Sequence, residues 1–163
     1  MKLFLKNSLI LSTIFFIPCL WAQSLTQDQS RIRKISSTKK SVYFDQGIYV
    51  NSGAKIASTL NAVRHSYSAN NGYERIVLDF KTNQVPKLYG YVSGKDKILH
   101  LDLFNSTVNP NINSFGNSKF VQSFNFFNFS DDMLSVEMVL KDNVNYDIFY
   151  LENPGRLVID IKK

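Results

Sequence analysis

Beyond residue 55, apolar side chains recur at every second position over much of the chain, the period of a strand that buries one face. In Arg75-Ile76-Val77-Leu78-Asp79-Phe80, Ile76, Leu78 and Phe80 fall on one face, and Arg75, Val77 and Asp79 on the other. Leu99, Leu101 and Leu103 oppose His100 and Asp102 in the same way, and Leu157, Ile159 and Ile161 oppose Arg156, Val158 and Asp160. Burying one large apolar side chain contributes about 1.5–3 kcal/mol, whereas an exposed ion pair contributes about 1 kcal/mol at most. These nine residues are therefore the expected core.

Extended along the chain, the pattern predicts eight short strands in two tandem sets. The first set covers 60–68, 75–81, 87–92 and 97–104, and the second 119–129, 133–141, 146–151 and 156–162. Each set has a turn before its second strand, Ala69-Asn70-Asn71-Gly72 in one and Ser130-Asp131-Asp132 in the other. Each second strand closes on an apolar residue followed by lysine, Phe80-Lys81 and Leu140-Lys141. Residues 105–117 are rich in Asn with one Pro and one Gly, which suits a connecting loop. Regularly spaced short strands with turn signals between them predict an all-β fold, an antiparallel β-sandwich built from two tandem four-stranded half-repeats.

Two segments depart from clean alternation. Phe124 and Phe126 share one face of their strand, while Phe127 and Phe129 share the other. A β-bulge near Phe126-Phe127 is the expectation, because it turns all four rings toward the core. Without it two rings stand exposed and mark a partner surface. Residues 42–50 read as two short strands about a turn at Asp45-Gln46-Gly47, ahead of the domain proper.

Charge and the N-terminus divide the chain further. Lys2 and Lys6 precede an apolar run from Leu9 to Leu20, and cleavage after Ala22 makes residues 1–22 a signal peptide. The run is short of the ~20 residues that a membrane span needs, so an uncleaved anchor is the lesser alternative. Cys19 is the only cysteine, and Pro18 stands where a lipoprotein signal needs a small residue. Residues 23–54 are expected to form a basic flexible leader with a short hairpin, carrying Arg31, Arg33, Lys34, Lys39 and Lys40 before Ser41. After Ser41 the twelve basic residues balance twelve acidic ones. A neutral folded part on an exported chain argues against a nucleic-acid partner. It leaves only weak electrostatic contact of the leader with anionic surfaces. Residues 55–163 are the expected domain.

The residue inventory supplies little reactive chemistry. A zinc site needs several His, Cys or carboxylate ligands converging on one point, and only His65 and His100 are present, both at strand positions. No Gly-x-Ser-x-Gly elbow and no phosphate-cradling glycine loop occurs. The expectation is therefore no catalytic residue, no metal and no cofactor. Arg75, Asp79, Arg156 and Asp160 form the sharpest polar constellation, open to two readings. They either pair across strands on an outer face, or the arginines act as bidentate donors to ligand carboxylates. Tyr89, Tyr91 and Tyr150 are candidate stacking surfaces for sugars, although tyrosine is also an ordinary strand residue.

Taken together, Arg75-Ile76-Val77-Leu78-Asp79-Phe80, the aromatic strand from Tyr146 to Tyr150 and Leu151-Glu152-Asn153-Pro154-Gly155-Arg156-Leu157-Val158-Ile159-Asp160-Ile161 resemble the AMIN domain. This is a non-catalytic module of bacterial cell-envelope proteins. Gly155 stands where the family pattern has a second proline, and Lys97-Ile98 where the earlier copy would have Arg-Leu. The resemblance covers roughly residues 55 to 163. It implies a periplasmic module that binds peptidoglycan, like those in N-acetylmuramoyl-L-alanine amidases and type IV pilus secretins. With no amidase or secretin domain in this sequence, the expectation is a module acting alone. An envelope complex, whether secretin, pilus or amidase, is its alternative partner, and a membrane contact arises only through an uncleaved leader or weak electrostatics.

Overall fold

The computed structural model describes residues 32–112, 115–130 and 132–163. The expected signal peptide and the start of the leader lie outside the described residues. Eleven strands make up the regular structure of those residues. They are β1 (Ile32–Lys34), β2 (Gly47–Val50), β3 (Ser58–Ser68), β4 (Tyr73–Phe80), β5 (Leu88–Ser93), β6 (Ile98–Phe104), β7 (Ser106–Val108), β8 (Val121–Ser130), β9 (Met133–Leu140), β10 (Asn145–Leu151) and β11 (Arg156–Lys162). Each of the eight expected strands is present, with ends within two residues of those expected from alternation.

The strands form two sheets, of order β1-β2-β5-β6-β9-β8 and β10-β11-β4-β3-β7. Hairpin β3–β4 lies in the second sheet while β5–β6 lies in the first, and hairpin β8–β9 lies in the first while β10–β11 lies in the second. The central pairs β6–β9 and β4–β11 thus join residues far apart in sequence. All pairs among these eight strands are antiparallel, but both sheets are mixed. Short edge strands supply the parallel pairs, β1 with β2 and β7 with β3. A purely antiparallel sandwich was expected because β7 lies in a stretch that composition marks as loop, and β1 in one that it marks as leader.

All nine expected core residues are buried, eight of them completely and Phe80 with 4% exposure. Ile76, Leu78, Leu157, Ile159 and Ile161 of one sheet and Leu99, Leu101, Leu103, Leu134, Val136 and Met138 of the other belong to one apolar cluster. Glu74 also points inward from β4 and is fully buried. Its carboxylate accepts hydrogen bonds from Ser118 Oγ (2.8 Å), Phe120 N (2.9 Å) and Lys119 N (3.2 Å), and meets His65 Nδ1 at 3.0 Å. These bonds tie down the segment that leads into β8, and they satisfy a charge that would otherwise be costly to bury.

Residues 32–54 are not a free leader and contain no hairpin about Asp45-Gln46-Gly47. β2 pairs with β5, and Phe44 forms a bridge to Tyr146 in the opposite sheet. Ile35, Phe44 and Tyr49 enter the core. Alternation within GIYV explains this better than composition did: Tyr49 faces inward, and burying an aromatic ring outweighs the polarity of its flanks.

The expected bulge at Phe126-Phe127 is also absent. Phe126 pairs with Val136 and Phe127 with Ser135 in unbroken register, and the shifts fall instead at Val121/Ser123 and Asn128/Ser130. Phe124 and Phe126 pack against the core, while Phe127 and Phe129 stand 47% and 75% exposed.

Tyr49 is fully buried with its ring laid over Gly90, where an added Cβ would lie 2.0 Å from Tyr49 Cζ. The Tyr49 hydroxyl has no hydrogen-bond partner among the described residues, and burial pushes its ionisation well above the ordinary tyrosine range. Gly90→Ala is therefore expected to cost about 1–3 kcal/mol through overpacking, whereas Tyr49→Phe removes an unsatisfied buried hydroxyl and should stabilise by about 1 kcal/mol. Urea unfolding of the two variants, with equal slopes, measures both.

Candidate functional site

The sequence-selected residues are distributed over both sheets, and alternation decides where each falls. Arg75, Asp79, Arg156 and Asp160 stand on the outer face of the five-stranded sheet, where Arg75 lies opposite Asp160 and Asp79 opposite Arg156. Tyr89 and Tyr91 stand on the outer face of the six-stranded sheet, opposite Asp102 and His100. Tyr150 lies with Leu157 on the inner side of its sheet and packs against the core. It is not a stacking surface, because an inward position in β10 places its ring among apolar neighbours. The five candidate ligand residues thus do not form one site.

On the five-stranded face two arginine–carboxylate pairs take up most of the charged groups. Arg75 donates from Nε and Nη2 to the two oxygens of Asp160 at 2.7 and 2.8 Å, and Lys39 Nζ reaches Asp160 Oδ2 at 2.5 Å. Both cations also lie over the rings of Tyr73 and Phe149, 5.1–5.9 Å from the ring centres. Arg64 makes a second bidentate pair with Asp79, at 2.5 and 2.7 Å. Arg156 therefore finds no bond to Asp79 in this arrangement, and its buried Nε has no partner among the described residues. Arg75 has its fork committed within the fold, which is the cross-strand reading of the constellation.

Lys39 reaches Asp160 because residues 35–44 run along the edge of β10. Ile35 N donates to Val50 in the first sheet, Tyr150 N donates to Ser36, and Phe44 and Tyr146 exchange backbone bonds of 2.7 and 2.9 Å. The segment straps one side of the sandwich, and the sequence signal for it, a lysine in a Ser/Thr-rich stretch, carries no periodicity from which it could be read.

Two carboxylates under this strap have pKa values shifted in opposite directions. Burial by itself would raise the Asp160 carboxyl, but hydrogen bonds from Arg75 and Lys39 outweigh it and hold the group below the ordinary carboxylate range. Asp147, directly opposite Asp160 on β10, is pushed up by burial, and its Oδ2 has no partner among the described residues.

The six-stranded outer face is open. Val50, Tyr89, Asp102, Ser135 and Phe127 follow one another across five strands in register, and Ile48, Tyr91, His100, Glu137 and Asn125 form the adjacent row. Tyr89 and Tyr91 are 38% and 43% exposed. Tyr91 stacks near His100 with ring centres 6.4 Å apart, and His100 Nδ1 lies 3.3 Å from Glu137 Oε1. Ser135 Oγ donates to Asp102 Oδ1 at 2.5 Å. Sequence reasoning found the two tyrosines, and Phe127 only as the alternative to a bulge, but not Asp102, His100 and Glu137, which only the strand order sets beside them. Among the described residues no group of three or more His, Cys, Asp or Glu side chains is placed to hold a metal ion.

The raised Asp147 carboxyl makes a testable contribution to stability. A group with a raised folded-state pKa contributes stability that is complete below its unfolded value and lost as pH rises through the folded one. Asp147→Asn is thus expected to raise the melting temperature at pH 7 and to lose that gain near pH 4. Thermal melts at the two pH values measure it, and an equal shift at both would assign the effect to packing.

No family model matches the chain, and no curated protein matches it either.

Proposed function

We propose that the chain is an exported, non-catalytic cell-envelope module that binds peptidoglycan and localises itself or a partner complex at the wall. The observation that carries this reading is the outer face of the six-stranded sheet, with Tyr89 and Tyr91 exposed beside Asp102, His100 and Glu137. Tyrosine rings stack against the apolar faces of sugar rings, while carboxylates accept hydrogen bonds from sugar hydroxyls. A long glycan strand needs a surface to lie along more than a deep pocket. The AMIN resemblance at Arg75–Phe80 and residues 151–161 points the same way, toward the periplasm as the site of action.

Two half-repeats, β3–β6 and β8–β11, are the finer architecture in this reading. Substituting each strand by its counterpart turns the order β5-β6-β9-β8 into β10-β11-β4-β3, which supports a duplicated unit whose copies exchange hairpins.

A second reading, a protein-interaction adaptor for a secretin, pilus or division complex, is favoured by the exposure of Phe127 and Phe129. Exposed aromatics on a sheet edge suit capture of a partner strand.

Co-sedimentation with purified sacculi separates the readings. The protein should pellet, and the Tyr89→Ala/Tyr91→Ala double variant should lose at least about tenfold in affinity if each ring contributes roughly 1 kcal/mol. Retained pelleting in a Phe127→Ser/Phe129→Ser variant completes the expected pattern. A wild-type protein that stays in the supernatant at low salt overturns the wall-binding reading.

A further inference from the structure

The four sheet edges are not equally protected. β1 is three residues long and carries Arg33 and Lys34. β7 is also three residues long. The edge of β10 is covered by Ser36 and Phe44, which take backbone bonds with Tyr150 and Tyr146. β8 is different: it has ten residues, Val121–Ser130, with no charged residue, proline or glycine among them. It ends its sheet, and among the described residues no backbone bonds to its outer edge from Gln122 to Ser130. Proteins ordinarily blunt such an edge with charge, proline or a covering segment.

We propose that the β8 edge pairs antiparallel with β8 of a second copy of this chain, joining two six-stranded sheets into one continuous sheet about a two-fold axis. The charges at the ends of the strand suit this partner. Lys119 precedes β8 and Asp132 follows it, both exposed, and antiparallel pairing sets each lysine near the aspartate of the other copy. A two-fold axis brings like residues together at its centre, which a neutral strand tolerates and a charged one does not. The register shifts at Val121/Ser123 and Asn128/Ser130 leave a regular stretch from Ser123 to Asn128 for the pairing.

Side chains at the centre of that stretch also fit. With the axis at Asn125, Phe124 of one copy lies opposite Phe126 of the other on the core-facing side. Both rings flank a groove of about 350 Å³ lined further by Val63, Ile112 and Phe115. Cross-strand aromatic pairs would close this groove in both copies at once. On the opposite side, the same pairing sets the two outer faces side by side in one plane. The pairing itself is independent of whether those faces bind glycan.

Sedimentation analysis of the purified protein, with its N-terminus as the producing cell leaves it, tests the pairing without any glycan present. At ~100 µM, where even a contact of modest affinity is populated, the wild type is expected to be dimeric and to dissociate on dilution. Hydrogen exchange at β8 amides should slow as the dimer forms. Asn125→Lys and Asn125→Glu should each be monomeric, and an equimolar mixture of the two should restore a dimer by pairing opposite charges. A monomeric wild type overturns the proposal, as does a dimer unchanged in both charge variants, or folded variants whose mixture fails to recombine. Because the wild-type measurement needs no substitution, a variant that misfolds does not rescue the proposal. Protection of β8 seen only on adding another envelope protein would give the edge to a different partner and overturn it as well.

Discussion

One apolar core, closed from both sides by strands of period two, is the constraint on which everything else in this protein rests. Ile76 and Leu78 on β4, Leu157, Ile159 and Ile161 on β11, and Leu99, Leu101 and Leu103 on β6 all point into it. The pairs that bring these strands to the centre, β4–β11 and β6–β9, join segments far apart in sequence. Neither the first four main strands nor the last four can complete a sheet alone. Folding therefore depends on non-local pairing, whose chain-closure entropy must be met before the core rewards it.

Polar groups that enter this frame are satisfied by their neighbours to different degrees, and three acidic residues mark the range. Glu74 is buried among three donors and His65, and uses them to fasten the segment before β8. Asp160 is buried beneath Arg75 and Lys39, and clamps the strap at residues 35–44 to the five-stranded sheet. Asp147 is buried beside it with one oxygen unpartnered. Buried ion pairs of this kind specify geometry more than they add stability, since desolvation offsets much of the attraction.

The two outer faces consequently differ in what they can offer a ligand. On the five-stranded face Lys39, Arg64 and Arg75 are held by carboxylates of the same fold, whereas Arg156 is not. The six-stranded face keeps Tyr89, Tyr91 and Phe127 open beside Asp102 and Glu137, with the edge of β8, unpaired among the described residues, at its border. The proposed binding role rests on the second face because the carboxylates of the first are largely taken up by its own cations.

Alternation alone determined the eight main strands, the nine inward residues on β4, β6 and β11 and the all-β class, because a side-chain period of two reports local geometry directly. It also placed Arg75 and Asp160 on an outer face. What it could not reach was which strand lies beside which, and the misjudged segments all turn on that. Residues 32–54 look like a polar leader until Tyr49 meets Gly90 and Lys39 meets Asp160. The bulge assigned to Phe126-Phe127 fails because register along β9 continues past it. Tyr150 turns inward, and Arg156 loses Asp79 to Arg64, a competitor from a strand that its own neighbourhood in sequence does not contain. Local pattern fixes the face a residue takes on its own strand, whereas its partners are set by long-range packing, and that is a property of the whole chain.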